Sequence, residues 1–340
     1  MYELPSLLKT AYHACNKIDR ARYDLLRTPD VDLRPCCESL FELLKADRNL
    51  DENNSMETMY SRSPTPRRYR KLCESAALYG HLDCLKLARV IGVPWDSGLE
   101  IIGHPEPMIF GSACEMAALS GNLECLEYAW ENGCLWSDRT CSNAALNGHL
   151  DCLVYARENG CTLDESTCSN AALHGHLECL RYARDNGCPW SKLTCTNAAR
   201  NGQMDCLRYA RENRCEWDKD TCDAAAQNGH LNCLIYAREN GCEWDNDTCK
   251  VAASNGHLNC LVYARENGCE WSRDTCYEAA KEGHLNCLIY AHQNGCPWDQ
   301  WTGIYAKLRG HIDCWNYALK NGCPWVESTY NMISSMDYLC

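Results

Sequence analysis

The sequence predicts an all-α solenoid of nine helix-turn-helix repeats closed by helical caps, and three observations carry that reading. One residue pattern returns every 27 residues, anchored on Gly121, Gly148, Gly175, Gly202, Gly229, Gly256, Gly283 and Gly310, with an earlier copy at Gly80. Within each unit, small and apolar residues recur at helical spacing. Glycines then stand where each helix would have to stop. A period of roughly 20–50 residues marks stacked units that bury their apolar faces only against their neighbours, and such surfaces bind other macromolecules.

Taken in order, residues 1–72 are expected to form a helical cap or degenerate repeat and a linker. Their apolar clusters are Leu25-Leu26 and Leu40-Phe41 through Leu43-Leu44, followed by an acidic-polar stretch near Asp51–Thr58. A first repeat without a cap would expose its apolar face. Ser63-Pro64-Thr65-Pro66-Arg67-Arg68-Tyr69-Arg70-Lys71 reads as a solvated basic turn, a phosphorylated linker or a nuclear-import signal. The array proper spans 73–328. Between its first two glycines the period stretches to 41, which places 14 extra residues near Gly98–Gly111. Ile101, Ile102, Pro105, Pro107, Met108, Ile109 and Phe110 in that insertion need a burial site, either over the solenoid edge or on a partner. Residues 329–340 start another first helix and stop, as an end cap does.

One unit shows why the elements form. Thr140 reads as an N-cap, and Cys141, Ala144 and Ala145 fall at i, i+3 and i+4 on one face of a short first helix. Gly148 suits the left-handed position that ends it. Cys152, Leu153 and Ala156 form the stripe of a second helix, which Gly160 ends. Asp151, Glu178 and Asp205 open second helices while Arg157, Arg184 and Arg211 lie near their ends, as the helix dipole prefers. The connection Gly187-Cys188-Pro189-Trp190-Ser191-Lys192-Leu193-Thr194 repeats its tryptophan at Trp217, Trp244, Trp271, Trp298 and Trp325. These rings are expected to stack as a ladder along the loop edge.

The run Ala-Ala-x-x-Gly-His-Leu, as at Ala144–Leu150, followed by a longer helix closed by Gly-Cys, resembles the ankyrin repeat. His149-Leu150-Asp151-Cys152-Leu153 and His176-Leu177-Glu178-Cys179-Leu180 carry the closest match. Ankyrin units typically run to about 33 residues with a projecting hairpin and Thr-Pro-Leu-His before the alanines; here Thr-Cys-x-x stands there and the hairpin is shortened. In this the chain is similar to the short, Trp/Cys-rich ankyrin variants of giant DNA viruses and some protists. The resemblance implies a protein-interaction module, viral and acting on a host protein in that setting. It also implies that the residues before each glycine, Leu146, Asn147, Leu173, His174, Arg200, Asn201, Gln227, Asn228, Ser254, Asn255, Lys281 and Glu282, line a concave groove and choose the partner. The loop residues Lys192, Lys219, Asn246 and Arg273 join them. Viral relatives often carry an F-box before the repeats. Leu4-Pro5 and Leu7-Leu8 match its opening faintly, which leaves a substrate receptor of a ubiquitin ligase as an alternative.

Chemistry gives less. Of the 29 cysteines, 25 occupy three fixed positions separated by 11, 9 and 7 residues, as in Cys141, Cys152, Cys161 and Cys168. Zinc sites take ligands two to four residues apart, and no Cys-x-x-Cys exists here, so buried packing is expected, with a thiol-rich metal or redox buffer as a further alternative. Histidine follows the glycine in seven of nine units and Asn122 or Gln203 replaces it in the others, which suits a hydrogen-bonding turn residue. No nucleophile elbow, phosphate loop or carboxylate pair stands out, so no catalytic, metal or cofactor-binding residue is expected. Residues 1–72 hold 13 Lys/Arg against 11 Asp/Glu, leaving 20 Lys/Arg and 35 Asp/Glu, a charge of −15, for the rest. That field opposes nucleic acid. No apolar run spans a membrane and no signal peptide is visible, so reduced thiols, a cytoplasmic or nuclear setting (host cytoplasm if viral), silent glycosylation matches at Asn53 and Asn246, and a monomer bound to a protein partner are expected.

Overall fold

A computed structural model describes residues 71–90, 92–95, 111–137 and 139–336. The cap expected over residues 1–72 and the insertion expected at 98–111 lie outside them, apart from Lys71, Leu72 and Gly111. Among the described residues all regular structure is helical, in nine successive pairs and a single last helix. The pairs are α1 (Leu72–Leu78) and α2 (Leu82–Val90), α3 (Ala113–Ser120) and α4 (Leu123–Glu131), α5 (Thr140–Leu146) and α6 (Leu150–Glu158), α7 (Glu165–His174) and α8 (Leu177–Asp185), and α9 (Lys192–Arg200) and α10 (Met204–Glu212). They continue with α11 (Lys219–Gln227) and α12 (Leu231–Glu239), α13 (Asn246–Ser254) and α14 (Leu258–Glu266), α15 (Thr275–Lys281) and α16 (Leu285–Gln293), and α17 (Gln300–Leu308) and α18 (Ile312–Lys320), before α19 (Glu327–Met336).

The chain forms two compact units, one up to Thr167 and one from Cys168. In the first, α1, α3 and α5 pack in series, as do α2, α4 and α6. In the second, α9, α11, α13, α15 and α17 form one row, the second helices from α8 to α18 form the other, and α19 lies on α17. The layering follows from side-chain size. Cys141, Ala144 and Ala145 of α5 and Cys152, Leu153 and Ala156 of α6 are buried, so short side chains let first helices approach closely while one leucine fills each pair's centre. Leu153, Leu180, Leu207, Leu234, Leu261 and Leu288 are among the largest fully buried side chains, each adding about 2 kcal/mol of apolar burial.

The threonine read as an N-cap sits one step further in. Thr140 is the first helical residue of α5, and Thr221 and Thr248 are wholly buried inside α11 and α13. In those helices the caps lie upstream: Asp218 and Asp245 accept from the backbone N–H of Asp220 and Asp247, and Asp299 likewise caps Trp301. A carboxylate reaches an N–H two residues on only from outside the first turn, which is why the acidic residue, and not the threonine, takes this role.

The two glycines of a unit serve different ends. At Gly121 φ is 75°, and a Cβ there would stand 2.4 Å from Nδ1 of His149, the first residue past the glycine of the next unit. Asn122 fills the same role against the preceding unit, donating from Nδ2 to the carbonyls of Ala77 (3.1 Å) and Leu78 (3.3 Å). The second glycine, as at Gly187 and Gly241, is also left-handed but faces open space. Arg214 takes that place in α10's unit with φ of 66°, the one left-handed non-glycine among the described residues. Only backbone strain opposes it, about 1–2 kcal/mol. Arg214→Gly is therefore expected to stabilise the protein by about 1 kcal/mol, read as a shift in the urea midpoint; a neutral or negative change would refute this.

Every described cysteine except Cys84 is buried, and all are free thiols. Those after the second glycine also donate: Cys215 to the Ser191 carbonyl (3.3 Å), Cys242 to Asp218 (3.1 Å), Cys269 to Asp245 (3.1 Å) and Cys323 to Asp299 (3.1 Å). Each ties the loop after a second helix to the residue that opens its own first helix, as a second donor to a carbonyl that already accepts from the N–H of the threonine three residues on. Burial pushes Cys152 and Cys206 up to about 12, and Cys179 to about 11. The folded chain thus holds protons that the unfolded chain releases from about pH 9 upward. The contribution of these raised thiols should fall as pH climbs from 9 towards 11–12, each adding up to about 1.4 kcal/mol per pH unit. Urea midpoints at pH 7.5, 9 and 10.5 test this, and a constant midpoint would contradict it.

Candidate interaction surface

The first helices carry the variable positions. Of the residues expected in the groove, Asn147, His174, Arg200, Asn201, Gln227, Asn228, Asn255 and Glu282 are exposed, whereas Leu146, Leu173, Ser254 and Lys281 are half-buried. Lys192, Lys219, Asn246 and Arg273 are exposed at the first helices' entrances. The asparagines before the glycines already have work. Asn147 Nδ2 donates to the Leu119 carbonyl (2.6 Å) and Asn201 to Leu173 (2.8 Å), each reaching the preceding first helix. Asn228 and Asn255 donate to Ala224 (3.0 Å) and Val251 (2.9 Å) of their own helices. Helix ends leave carbonyls without partners, and this column supplies donors. The column one residue earlier, Leu146, Leu173, Arg200, Gln227, Ser254 and Lys281, changes chemistry from unit to unit.

A second variable column shares that face. Four residues earlier stand Ser142, Ser169 and Thr196, which are buried, and Asp223, Lys250 and Tyr277, which are half-buried; residues at i and i+4 of a helix are neighbours on its surface. Lys281 Nζ lies 5.6 Å from the Tyr277 ring centroid and 3.1 Å from Glu278 Oε2, joining the two columns in α15. Asp223 accepts from the Thr248 hydroxyl of the next unit, and burial pushes its carboxyl up to about 6. Lys250 pairs with Asp247 at 2.5 Å. The same variety was readable in the sequence; it was missed because the position directly follows the buried cysteine.

Along the loop edge of the second unit, Lys192 pairs with Asp218 of the next loop, and Lys219 repeats this with Asp245 at 2.6 Å. Between consecutive loops lies a cleft of 640 Å³ lined by Arg211, Glu216, Trp217, Lys219, Glu243 and Trp244. From Arg214 to Asp220, from Gly241 to Asp247 and from Gly268 to Asp274, eight carboxylates meet three cationic side chains, Arg214, Lys219 and Arg273. This rim repels phosphate and attracts cationic side chains.

The loop tryptophans of successive repeats do not stack upon one another, contrary to the expected ladder. Each half-buried ring is held between a cation and a tyrosine edge. Arg184, Arg211 and Arg238 lie 4.3, 4.3 and 4.4 Å from Trp190, Trp217 and Trp244, while Tyr209, Tyr236 and Tyr263 of the next unit meet the same rings edge-on at 6.3, 6.3 and 6.1 Å. Where the cation is missing an aromatic ring takes its place: Trp130 stacks on Trp136 at 4.3 Å and His292 on Trp298 at 3.7 Å. A tyrosine of the next unit, and not its indole, meets each of these three rings. The ring nitrogen can also bond forward, as from Trp271 to the Asn294 carbonyl (3.0 Å).

Among the described residues no three His, Cys, Asp or Glu side chains converge as metal ligands, and no helix is long and apolar enough to cross a membrane. The helix pairs define the class, an ankyrin-like helical repeat protein. No family model matches the chain, and no curated protein matches its sequence. Among solved structures, the human ASB11 ankyrin repeat domain is similar, with 21% identity and a TM-score of 0.41 over 54% of this chain and 85% of that one.

Because these rings are half-exposed, Trp217→Ala or Trp244→Ala should cost about 2–3 kcal/mol, below the 3–5 of a fully buried ring. Arg211→Ala should cost about 1 kcal/mol and lose most of its effect in the Trp217→Ala background. Additive losses in a double-mutant cycle would show that ring and cation act separately.

Proposed function

We propose that the chain is a non-enzymatic protein-binding module whose partner docks on the exposed face of the first helices. The observation that carries this is the contrast within the repeats of the second unit: the buried cysteine, alanine and leucine columns barely change, while the column of Leu173, Arg200, Gln227, Ser254 and Lys281, exposed at Arg200 and Gln227 and half-buried elsewhere, changes chemistry at every step, joined by half-buried Asp223, Lys250 and Tyr277. Packing demands no such variety. The acidic rim beside that face favours a partner presenting cationic side chains over one presenting phosphate. The buried thiols lack the access that a metal or redox buffer uses, and those of the second helices, such as Cys152 and Cys179, are pushed by burial up to about 12 and about 11, away from thiolate. The ligase-receptor reading rests on residues 1–50, outside the described residues.

The combined variant Arg200→Ala, Gln227→Ala and Arg273→Ala removes three exposed side chains and leaves Lys281, which is paired with Glu278 and Glu282, in place. Each exposed change should alter stability by less than about 0.5 kcal/mol. The variant should keep its melting temperature within about 3 °C while losing the partner that the wild type enriches in affinity capture with quantitative mass spectrometry. Undiminished capture by this variant, with loss on deleting residues 1–71, would move the binding function to the N-terminal segment.

A further inference from the structure

Helix α18 differs from the second helices before it. In α12, α14 and α16 the first, fifth and eighth residues, such as Leu258, Val262 and Arg265 of α14, are half-covered by the second helix that follows. The next helix after α18 is α19, which packs on α17. The matching residues Ile312, Asn316 and Leu319 are therefore exposed, Ile312 at 50% and Leu319 at 39%. Asp313 and Lys320 are exposed beside them, and the five residues occupy one face of the helix, spaced i, i+1, i+4, i+7 and i+8.

The chemistry of this face is not inherited from the repeat. The eighth position is arginine in α8, α10, α12 and α14, where it covers the following tryptophan, and histidine in α16. In the last pair it is Leu319, and the cation over Trp325 comes instead from Lys307 of α17, at 5.0 Å. Val326, 40% exposed, likewise stands where the preceding units have a serine or aspartate cap. The cation over Trp325 thus comes from the other row, and α18 carries apolar residues on a face that none of the described helices covers.

We propose that a second copy of this chain covers that face, its α18 lying antiparallel on this one across a two-fold axis at Asn316. The face is self-complementary in that arrangement alone. Ile312 of each copy meets Leu319 of the other on one side of the seam, and Asp313 meets Lys320 on the other, twice by symmetry. A parallel pairing would set Asp313 beside Ile312 and Lys320 beside Leu319, charged against apolar. A helix of this length is only about 13.5 Å long, so the contact falls at the small end of specific interfaces and the dimer forms at high protein concentration. This replaces the monomer expected from the sequence and is independent of the partner-binding face proposed for the first helices.

Sedimentation equilibrium on the full chain, from about 5 to 500 µM in low salt, tests it. The wild type should show a monomer–dimer equilibrium with Kd of roughly 10–100 µM, within the weak class expected for so small an interface. Asp313→Lys alone and Lys320→Asp alone should each weaken it at least tenfold, since like charges then face each other, and the double reversal Asp313→Lys with Lys320→Asp should restore it. Leu319→Arg, which returns the interior residue, should also abolish the dimer, with melting curves confirming that each variant folds. A wild type monomeric at about 500 µM, a dimer indifferent to the single reversals, or a double reversal no tighter than either single would each overturn the proposal.

Discussion

The structure depends on a contact between a glycine that has no side chain and a polar side chain from the next helix pair. In the second unit His230, His257, His284 and His311 each place Nδ1 within 2.6 Å of where a Cβ on Gly202, Gly229, Gly256 or Gly283 would stand, and Gln203 does the same at Gly175. The glycine gains from this twice, because its left-handed φ is already unfavourable for any other residue. Register between neighbours is thereby set at a point, not along a surface. The alanines and cysteines of the first helices then fall opposite one another without adjustment, and the leucines centre themselves in each pair.

Much of this was legible as rhythm. The glycine period gave the pairs, and spacing gave the faces, because a helix puts residues three and four apart on one side. What eluded the sequence was partnership. Thr140 looked like a cap because threonine often is one, yet its place inside the helix depends on a preceding turn that carries no fixed signature; Asp218 and Asp245 do the work further along. The tryptophans looked like a column of rings because they recur. Recurrence fixes position but not what fills the gap between positions, and here arginine and tyrosine fill it.

The candidate surface was half legible for the same reason. Variability flagged Arg200, Gln227 and Lys281, but the asparagines before Gly148, Gly202, Gly229 and Gly256 looked variable only because their neighbours varied. Asn147 and Asn201 turn out to close helix ends across the boundary between pairs. The column of Asp223, Lys250 and Tyr277 was overlooked although four residues separate it from the flagged one, since a position touching the buried cysteine invites a structural reading. Distinguishing support from recognition required knowing which donors already had acceptors.

The row construction has a mechanical consequence. Among the described residues the main contacts of each helix in the second unit are with its own pair and the pairs beside it, so tension applied along the chain is resisted pair by pair. Stretched, such a chain should yield as a spring of equal links, each release lengthening it by roughly 90 Å, the extended span of 27 residues. The cysteine-to-carbonyl ties from Cys215, Cys242 and Cys269 close each link upon itself. They would hold a single pair intact while its neighbours opened, making the molecule compliant in its joints and stiff within them.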